Sequence, residues 1–220
     1  ITSIQASSEV LKDNTDQPDD LKNQFLENIM FDTERITKLI NDILDLEKLA
    51  TGRVKLNRIT QNLMDTIQHA IDTLKPIADK KNVELKLKSF QNEIFLKHDD
   101  DKMIQVFTNL LSNAVKFVER DMGKIQIKIE NDLKYINISI EDNGTGVPKV
   151  DRPYIFEKFY QSDEQAFKKN EGSGFGLAIC KQIIELHQAF IYLDETYSTG
   201  AKFIIKLPKT IENEKDIISR

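Results

Sequence analysis

Residues 171–180, EGSGFGLAIC, place three glycines (Gly172, Gly174 and Gly176) directly before an apolar run. The chain has only 8 glycines in 220 residues, and glycine loses more backbone freedom on folding than any other residue. Such a cluster is typical either of a flexible lead-in to a helix or of a loop whose backbone closely approaches a ligand, most often phosphate. This stretch alone leaves both interpretations open.

The composition is that of a globular protein, with 40% hydrophobic and 30% charged residues. The net charge of -5 argues against a nucleic-acid-binding surface. The single cysteine, Cys180, cannot form an intrachain disulfide and favours a reducing compartment. Because no apolar run has the length of a membrane span, we expect any membrane attachment to lie outside this chain.

Two helices joined by a turn are predicted for the first fifty residues. Residues 1–14 show helical spacing with no cap before Ile1, so we expect this helix to begin upstream. After the turn at Pro18, apolar residues recur at three- and four-residue steps from about residue 21 to residue 50. A lone hairpin cannot bury both apolar stripes, so we expect a dimeric four-helix bundle. Packing of the stripe on the rest of the chain is the alternative.

The pattern then changes to mixed helices and strands. Helices are predicted at residues 63–82, at 99–118 and after Gly172, and strands at 83–90 and 94–98. Residues 123–142 and 189–208 each predict a β-hairpin, the second with Gly200 in its turn. The predicted fold class is α+β: a helical hairpin over residues 1–55, an α/β sandwich with one mixed sheet and about three helices over 56–210, and a charged tail over 211–220.

The helix QVFTNLLSNAVKF carries Asn109, Asn113 and Lys116 on one face. Asparagine is a mediocre helix former, so two of them on one face suggest a use. An amide oxygen suits Mg²⁺, and a lysine suits phosphate. A solvated polar face is the alternative. The opposite, apolar face comprises Val106, Leu110, Leu111, Ala114 and Phe117.

The stretch IEDNGTGV ends an alternating strand at Asp142 and then bends through Gly144 and Gly146. A partly buried carboxylate at a strand end can accept hydrogen bonds from an amino group such as the adenine N6, and the glycines let the backbone approach a flat ring. The alternative is a β-turn capped by the aspartate.

The stretch IFEKFYQ places Phe156 and Phe159 three residues apart, followed by Tyr160. A core helical turn is one interpretation of this spacing. The polar segment that follows, SDEQAFKKNEG, predicts a mobile cover whose Lys168 or Lys169 reaches a phosphate.

The order of these blocks is far more specific than any one of them. An Asn/Asn/Lys helix, a strand ending in Asp-x-Gly-x-Gly, a Phe-x-x-Phe turn, a polar loop and a Gly-x-Gly-x-Gly helix start resemble the N, G1, F and G2 boxes of sensor histidine kinases. Their ATP-binding domain belongs to the superfamily of gyrase, heat-shock chaperone and mismatch-repair ATPases. ITSIQASSEVL also resembles the segment just after the phosphoacceptor histidine motif, and residues 18–51 resemble the second helix of the dimerisation and phosphotransfer hairpin.

The resemblance implies ATP and Mg²⁺ as ligands. Asn113 would coordinate Mg²⁺, with Asn109 and Lys116 near the phosphates. Asp142 would accept the adenine amino group, and the glycine-rich stretch would meet the phosphates at a helix N-terminus. The implied ATP-binding residues are Asn109, Asn113, Lys116, Phe117, Asp142, Gly144, Gly146, Val147, Phe156, Phe159, Tyr160, Gly172, Ser173, Gly174, Phe175, Gly176 and Leu177.

The resemblance implies the catalytic core of a cytoplasmic sensor histidine kinase, which forms a homodimer and passes phosphate from a histidine to a response-regulator aspartate. That histidine would lie six residues before Ile1, so we expect this chain to bind ATP without phosphorylating itself. We interpret His69, His98 and His187 as structural or surface residues.

Some positions depart from the family pattern. Gln188 and Ala189 stand where two glycines are frequent, Ala201 where a hydroxyl residue is frequent, and Gln161 where a basic residue is frequent. The main alternative is therefore a degenerate kinase that acts as a nucleotide-independent dimeric scaffold. A second alternative is another ATPase of the superfamily that drives a clamp, against which the preceding hairpin argues.

Overall fold

The computed structural model describes residues 2–13, 18–51, 54–161 and 174–209. Contacts within the chain divide it into two compact units, Ile1–Glu47 and Lys48–Arg220. Within the described residues, no helix is both long enough and apolar enough to cross a membrane.

The first unit is helical, as the spacing of its apolar residues predicts. Helix α1 runs over Thr2–Asp13, and helix α2 over Asp19–Ala50. The Pro18 carbonyl accepts hydrogen bonds from the amides of Leu21 (3.0 Å) and Lys22 (3.2 Å), so the chain enters the helix directly after the proline. Asp19 and Asp20 in the first turn complement the helix dipole.

The second unit contains three helices and seven strands among the described residues. In chain order they are β1 (Ile59–Asn62), α3 (Leu63–Lys80), β2 (Glu84–Ser89), β3 (Phe95–His98), α4 (Asp100–Phe117), β4 (Lys124–Asn131), β5 (Tyr135–Asp142), α5 (Gly176–Leu186), β6 (Phe190–Leu193) and β7 (Lys202–Pro208). The predicted helices, strands and hairpins are confirmed. Strand β1, which the sequence did not predict, is the addition.

Five strands form one mixed sheet in the order β2-β4-β5-β7-β6. Strand β2 is parallel to β4, and the other neighbouring pairs are antiparallel. Strands β1 and β3 form a separate antiparallel ribbon. The prediction of one mixed sheet with about three helices is therefore confirmed, with this ribbon beside it.

The core lies on the face of the sheet that the helices cover. Alternating residues of β4 and β7 are buried, as a period of two requires. In the central strand β5, every residue from Ile138 to Asp142 is buried. The apolar stripes of α3, α4 and α5 pack on one face of these strands. The most deeply buried large side chains include Phe107, Leu63, Ile67, Met103, Leu110, Leu111, Ile125, Ile127, Ile138, Ile140, Ile179 and Ile183. The apolar stripe of α4 thus includes Phe107, whereas Phe117, predicted on that face, is half-buried.

The other face of the sheet is polar and carries a buried carboxylate, Glu141. Its side chain pairs with Lys128 at 2.7 Å and with Lys202 at 3.2 Å. Burial by itself raises the pKa of Glu141, but the two ammonium groups outweigh it, and the pKa lies below its ordinary value. Glu141 therefore remains charged at neutral pH.

The ends of the helices follow local chemistry. Asp99 caps α4 by accepting a hydrogen bond from the Lys102 amide at 3.1 Å, which confirms the predicted acidic start of this helix. After α5, Gln188 has a left-handed backbone with a φ of 60°. A side chain in that conformation costs about 1–2 kcal/mol, whereas a glycine would adopt it without a steric cost.

Candidate functional site

Helix α4 presents three polar side chains along one side. Asn109, Asn113 and Lys116 are half-buried there, while the buried residues of the helix lie on its other side. The Lys116 Nζ atom lies 4.7 Å from the centroid of the Phe117 ring. Among the described residues, none hydrogen-bonds the Asn113 side chain, so its amide remains available to a ligand.

Asp142 ends strand β5 with a buried carboxylate that is only 5% exposed. Its Oδ1 atom accepts hydrogen bonds from the backbone amides of Gly144 (2.9 Å) and Ala201 (3.1 Å). Within the described part of the chain, no donor is found for Oδ2, which can therefore accept from a ligand. Burial raises the pKa of Asp142, against the lowering effect of the two amides.

Close backbone contacts explain the glycines around Asp142. A methyl group on Gly144 would lie 2.5 Å from the Phe117 carbonyl oxygen, at the end of α4. A methyl group on Gly200 would overlap the Asp142 carbonyl oxygen and lie 2.8 Å from the Asp142 Oδ1 atom. Gly146 has a φ of +72° and approaches the Gly200 carbonyl. Three backbone segments thus pack directly against one another, with no side chains between them: the end of α4, the loop after Asp142 and the β6–β7 turn.

Residues 151–160 form consecutive turns beside this loop. The amides of Asp151 and Tyr154 bind the carbonyls three residues earlier, at 3.0 and 2.9 Å, and the Tyr160 hydroxyl donates to the Asp151 carboxylate at 2.6 Å. The Arg152 side chain donates to the Val147 carbonyl at 3.1 Å, which ties these turns to the loop after Asp142.

The two phenylalanines of this segment have different surroundings. Phe156 packs edge-on against Phe203, with ring centroids 6.2 Å apart. Phe159 is 70% exposed, and its ring contacts Phe175 at a centroid distance of 4.7 Å. The interpretation of this spacing as a core helical turn is therefore wrong, because Phe159 lies at the surface beside the glycine-rich stretch.

The described part of the glycine-rich stretch begins at Gly174. Its φ is +72°, and a methyl group there would lie 3.0 Å from the Tyr160 carbonyl oxygen. Helix α5 then begins at Gly176, whose carbonyl accepts a hydrogen bond from the Asn109 amide nitrogen at 3.4 Å. Leu177 is half-buried in its first turn. The predictions for Gly172, Ser173, Lys168 and Lys169 fall outside the described residues.

The four sequence blocks therefore meet in space. Helix α4 contacts the loop after Asp142 through Phe117, and contacts the start of α5 through Asn109. The segment 151–160 joins that loop through Arg152 and joins the glycine-rich stretch through Phe159. Each block thus contacts two others. These contacts bring the carboxylate of Asp142, the polar side of α4 and the N-terminus of α5 into one region.

Gly200 and Ala201 both contact Asp142, which the sequence does not predict. The sequence indicates Gly200 only as a turn residue and Ala201 only as a departure in its side chain. In the structure the Ala201 backbone binds Asp142 twice, donating to Oδ1 and accepting from the Asp142 amide at 2.9 Å. A glycine before a strand predicts a turn. The local sequence does not predict which distant strand end that turn contacts.

His98 and His187 are buried and hydrogen-bonded within the fold. The His187 ring accepts from the Asp99 amide at 3.1 Å and donates to the Ile183 carbonyl at 2.8 Å. The His98 ring bonds the Leu96 carbonyl at 3.0 Å and the Thr66 hydroxyl at 2.8 Å. Burial lowers the pKa of both rings. His69 is exposed. These placements agree with structural and surface roles.

Two family models match the chain. The model described as "Histidine kinase-, DNA gyrase B-, and HSP90-like ATPase" matches residues 98–211, and the model described as "His Kinase A (phospho-acceptor) domain" matches residues 1–52. The first match contains every block of the candidate site.

Curated relatives are similar over nearly the whole chain. Sensor histidine kinase YclK of Bacillus subtilis is 30% identical over 97% of this chain and 45% of its own length. Sensor protein kinase WalK of Staphylococcus haemolyticus is 32% identical over 98% of this chain and 35% of its own length. The chain therefore spans less than half of each of these relatives.

Solved structures share the fold. Histidine kinase ThkA, in its complex with response regulator protein TrrA, superposes with a TM-score of 0.77 at 24% identity, over 95% of this chain and 57% of ThkA. Full-length ShkA in complex with AMPPNP gives a TM-score of 0.74 at 21% identity, over 94% of this chain and 42% of ShkA.

Proposed function

The chain belongs to the family of histidine kinase-, DNA gyrase B- and HSP90-like ATPases, and from this membership we propose that it is the catalytic core of a two-component sensor histidine kinase. In this proposal the core moves the γ-phosphoryl group of ATP to a histidine upstream of Ile1. A response-regulator aspartate then receives the phosphoryl group.

The observation that carries this proposal is the environment of Asp142. Its Oδ1 atom is fixed by two backbone amides, so Oδ2 is held in place as an acceptor. A carboxylate in such a position can accept a hydrogen bond from the exocyclic amino group of adenine. Gly144 and Gly146 let the loop after Asp142 pack against the carbonyls of Phe117 and Gly200, which keeps the backbone around this carboxylate in place.

The phosphates would lie between α4 and the start of α5. Lys116 supplies a cation for them, and the amides of the first turn of α5 supply donors and the positive end of the helix dipole. Phosphoryl transfer needs mainly positioning and neutralisation of charge. ATP supplies the phosphoryl group, and these residues of the chain bind and orient it.

The residues around Asn113 fit a Mg²⁺ ion that is shared with nucleotide phosphates. Within the described residues, no group of three or more His, Cys, Asp or Glu side chains could hold a metal ion by itself. The half-buried Asn113 amide offers one neutral oxygen. Mg²⁺ commonly takes one or two protein ligands and completes its shell with water and substrate phosphates.

Replacing Asn113 by alanine is expected to remove most of the Mg²⁺-dependent gain in nucleotide affinity, because the metal loses its protein ligand. We expect the gain to fall at least about tenfold, measured by calorimetric titration with AMPPNP in the presence and absence of Mg²⁺. Ser112→Ala, on the exposed side of the same helix, is the matched control and should keep the full gain. An Asn113→Ala variant with an unchanged gain would place the metal elsewhere.

Nucleotide affinity is also expected to fall with decreasing pH in a way that reports on Asp142. Its pKa is raised by burial, so its carboxylate takes up a proton at a higher pH than an ordinary aspartate does. Above that pKa the acceptor is charged and binding is complete; below it the acceptor is lost. Titrations between about pH 4 and pH 8 follow this loss of affinity, and an affinity that stays constant down to about pH 4, where an ordinary exposed aspartate begins to take up its proton, would contradict this assignment.

The helical unit supports a homodimeric arrangement. Met30, Phe31 and Ile40 of α2 are 62%, 54% and 53% exposed, so these large apolar side chains are not covered by the described residues of the chain. A second copy of the chain would cover these side chains in a four-helix bundle. In this proposal the receiver domain of the response regulator docks on the same bundle, close to the phosphoacceptor histidine upstream of Ile1.

The kinase proposal is tested with the full-length parent protein and ATP labelled in the γ-phosphate. We expect label on a histidine, recognised by its lability in acid and stability in base, and its transfer to a receiver domain. At ATP concentrations near the Kd of the unmodified protein, the parent protein with Asp142→Asn should take up far less label. A folded parent that binds ATP but hydrolyses it without labelling itself would favour the clamp-type ATPase, and one that binds no nucleotide would favour the scaffold.

A further inference from the structure

The C-terminal ends of α3 and α4 hold each other through reciprocal hydrogen bonds, which we call the α3–α4 clasp (residues 80–82 and 115–121). The Lys81 Nζ atom donates to the carbonyls of Val115 (2.8 Å), Lys116 (3.0 Å) and Val118 (2.6 Å). In return, the Asp121 amide donates to the Lys81 carbonyl at 3.1 Å, and the Arg120 guanidinium donates to the Lys80 carbonyl at 3.2 Å.

The chemistry of the clasp suits a helix end. The last carbonyls of an α-helix have no intrahelical partner, and they form the negative end of the helix dipole. An ammonium group has three donors. Those of Lys81 bind two carbonyls of the last turn of α4, Val115 and Lys116, and the carbonyl of Val118 directly after the helix. A single side chain, from the residue directly after α3, thus satisfies and fixes the last turn of α4.

That last turn is the part of α4 that contacts the loop after Asp142. In sequence, Phe117 lies between Lys116 and Val118, whose carbonyls Lys81 binds. The Phe117 carbonyl accepts a hydrogen bond from the Thr145 amide at 3.4 Å. Gly144 has no space for a methyl group against the same oxygen. The Asn143 side chain donates to the Met122 carbonyl at 2.9 Å, just beyond the clasp. A shift of the last turn of α4 would therefore move the loop that bears Gly144 and Gly146.

We propose that Lys81 is a positioning residue for nucleotide binding, acting through the last turn of α4 on Lys116 and on the loop after Asp142. Lys81 itself does not touch the nucleotide. Its role is to hold the phosphate-facing lysine and the base-facing loop in one fixed relation. This inference rests on the proposed nucleotide site and extends it to a residue at the far end of α3.

The test compares Lys81→Met with the control Lys80→Met. Lys80 is an exposed neighbour that takes part in the clasp through its backbone carbonyl and not through its side chain. The first readout is the affinity for AMPPNP with Mg²⁺, measured by calorimetry at a temperature at which all variants are fully folded. The second readout needs no ligand: it is the amide chemical shifts of Gly144 and Thr145 in the nucleotide-free protein.

For Lys81→Met we expect binding weakened about fivefold, within the usual range for coupling through contacts, together with shifted Gly144 and Thr145 resonances. Lys80→Met should change neither readout. Should Lys81→Met fail to fold, Lys81→Arg carries the test, because a planar guanidinium cannot reproduce three converging bonds, and a weaker effect of about twofold is expected.

A lower melting temperature with unchanged affinity and unchanged loop resonances would reduce Lys81 to a helix cap and overturn the inference. Absence of nucleotide binding by the unmodified chain is a different result. It would reject the proposed nucleotide site itself, and the role of Lys81 with it.

Discussion

Replacing Asp142 by asparagine is expected to leave the second unit folded and to weaken the binding of adenine nucleotides about a hundredfold, which corresponds to about 2.7 kcal/mol. The asparagine oxygen can still accept from the amides of Gly144 and Ala201, so the local backbone keeps its bonds. The atom that replaces Oδ2 becomes an NH₂ group. A donor would then face the amino group of adenine, and the hydrogen bond is lost.

The same substitution should change the preference for the base. Inosine nucleotides carry an oxygen where adenosine nucleotides carry the amino group, and the new NH₂ group can donate to that oxygen. We therefore expect Asp142→Asn to bind an inosine nucleotide better than the matching adenosine nucleotide, the reverse of the unmodified protein. Competition titrations measure this ratio.

Glu141→Gln is the matched control, because it makes the same chemical change one residue earlier on the opposite face of the sheet. It weakens the pairs with Lys128 and Lys202, so some loss of thermal stability is expected, but the preference for adenine should be unchanged. An Asp142→Asn variant that retains tight adenine binding would remove Asp142 from the base-binding role.

Replacing Gly200 by alanine is expected to cost about 2 kcal/mol or more in the free energy of unfolding, at the upper end of the range for overpacking. The new methyl group would lie 2.7 Å from the carbonyl carbon of Asp142 and overlap its oxygen, and both belong to rigid backbone. The β6–β7 turn must therefore move away from β5. Because Ala201 donates to Asp142, the movement also removes one of the two bonds that fix the carboxylate.

Gly200→Ala should therefore lose nucleotide affinity as well as stability, even at temperatures at which it is folded. Thermal unfolding and calorimetric titration measure the two effects. Thr199→Ala changes an exposed residue of the same turn and should leave both quantities near those of the unmodified protein. A Gly200→Ala variant with unchanged stability would show that the turn tolerates the contact and would contradict the packing described here.

Much of the fold follows from sequence because its signals are local. The apolar spacing of α2, the acidic start of α4 and the strict alternation of β4 and β5 each specify an element from neighbouring residues alone. The ribbon strand β1 has no such signal, since its four residues, ITQN, show no alternation. Its pairing with β3 depends on residues more than thirty positions away.

The sequence predicts those site residues that are marked by their residue type or by the order of the motifs along the chain. Asn109, Asn113, Asp142 and Gly144 could be selected because of their unusual positions on a helix or at a strand end. The bond between Ala201 and Asp142 and the role of Lys81 could not, because each joins segments that are distant in sequence. The surface position of Phe159 was also missed, since Phe-x-x-Phe spacing predicts a buried helical turn equally well.

The departures at Gln188 and Ala201 acquire a physical meaning in the structure. Gln188 adopts the left-handed backbone that glycine would adopt more cheaply, so the helix end is retained at some cost in stability. Ala201 contributes through its backbone to the fixing of Asp142, which does not depend on a hydroxyl group. Neither departure removes a contact of the candidate site.

The most direct test of the central claim, that the chain binds ATP where α4, the loop after Asp142 and the start of α5 meet, is a calorimetric titration of the chain with AMPPNP and Mg²⁺. We predict saturable binding of one nucleotide per chain with a Kd of about 1–100 µM, that is, about 5.5–8 kcal/mol. A chain that is folded by circular dichroism and shows no saturable binding at millimolar nucleotide would contradict the account and leave the dimeric scaffold as the better description.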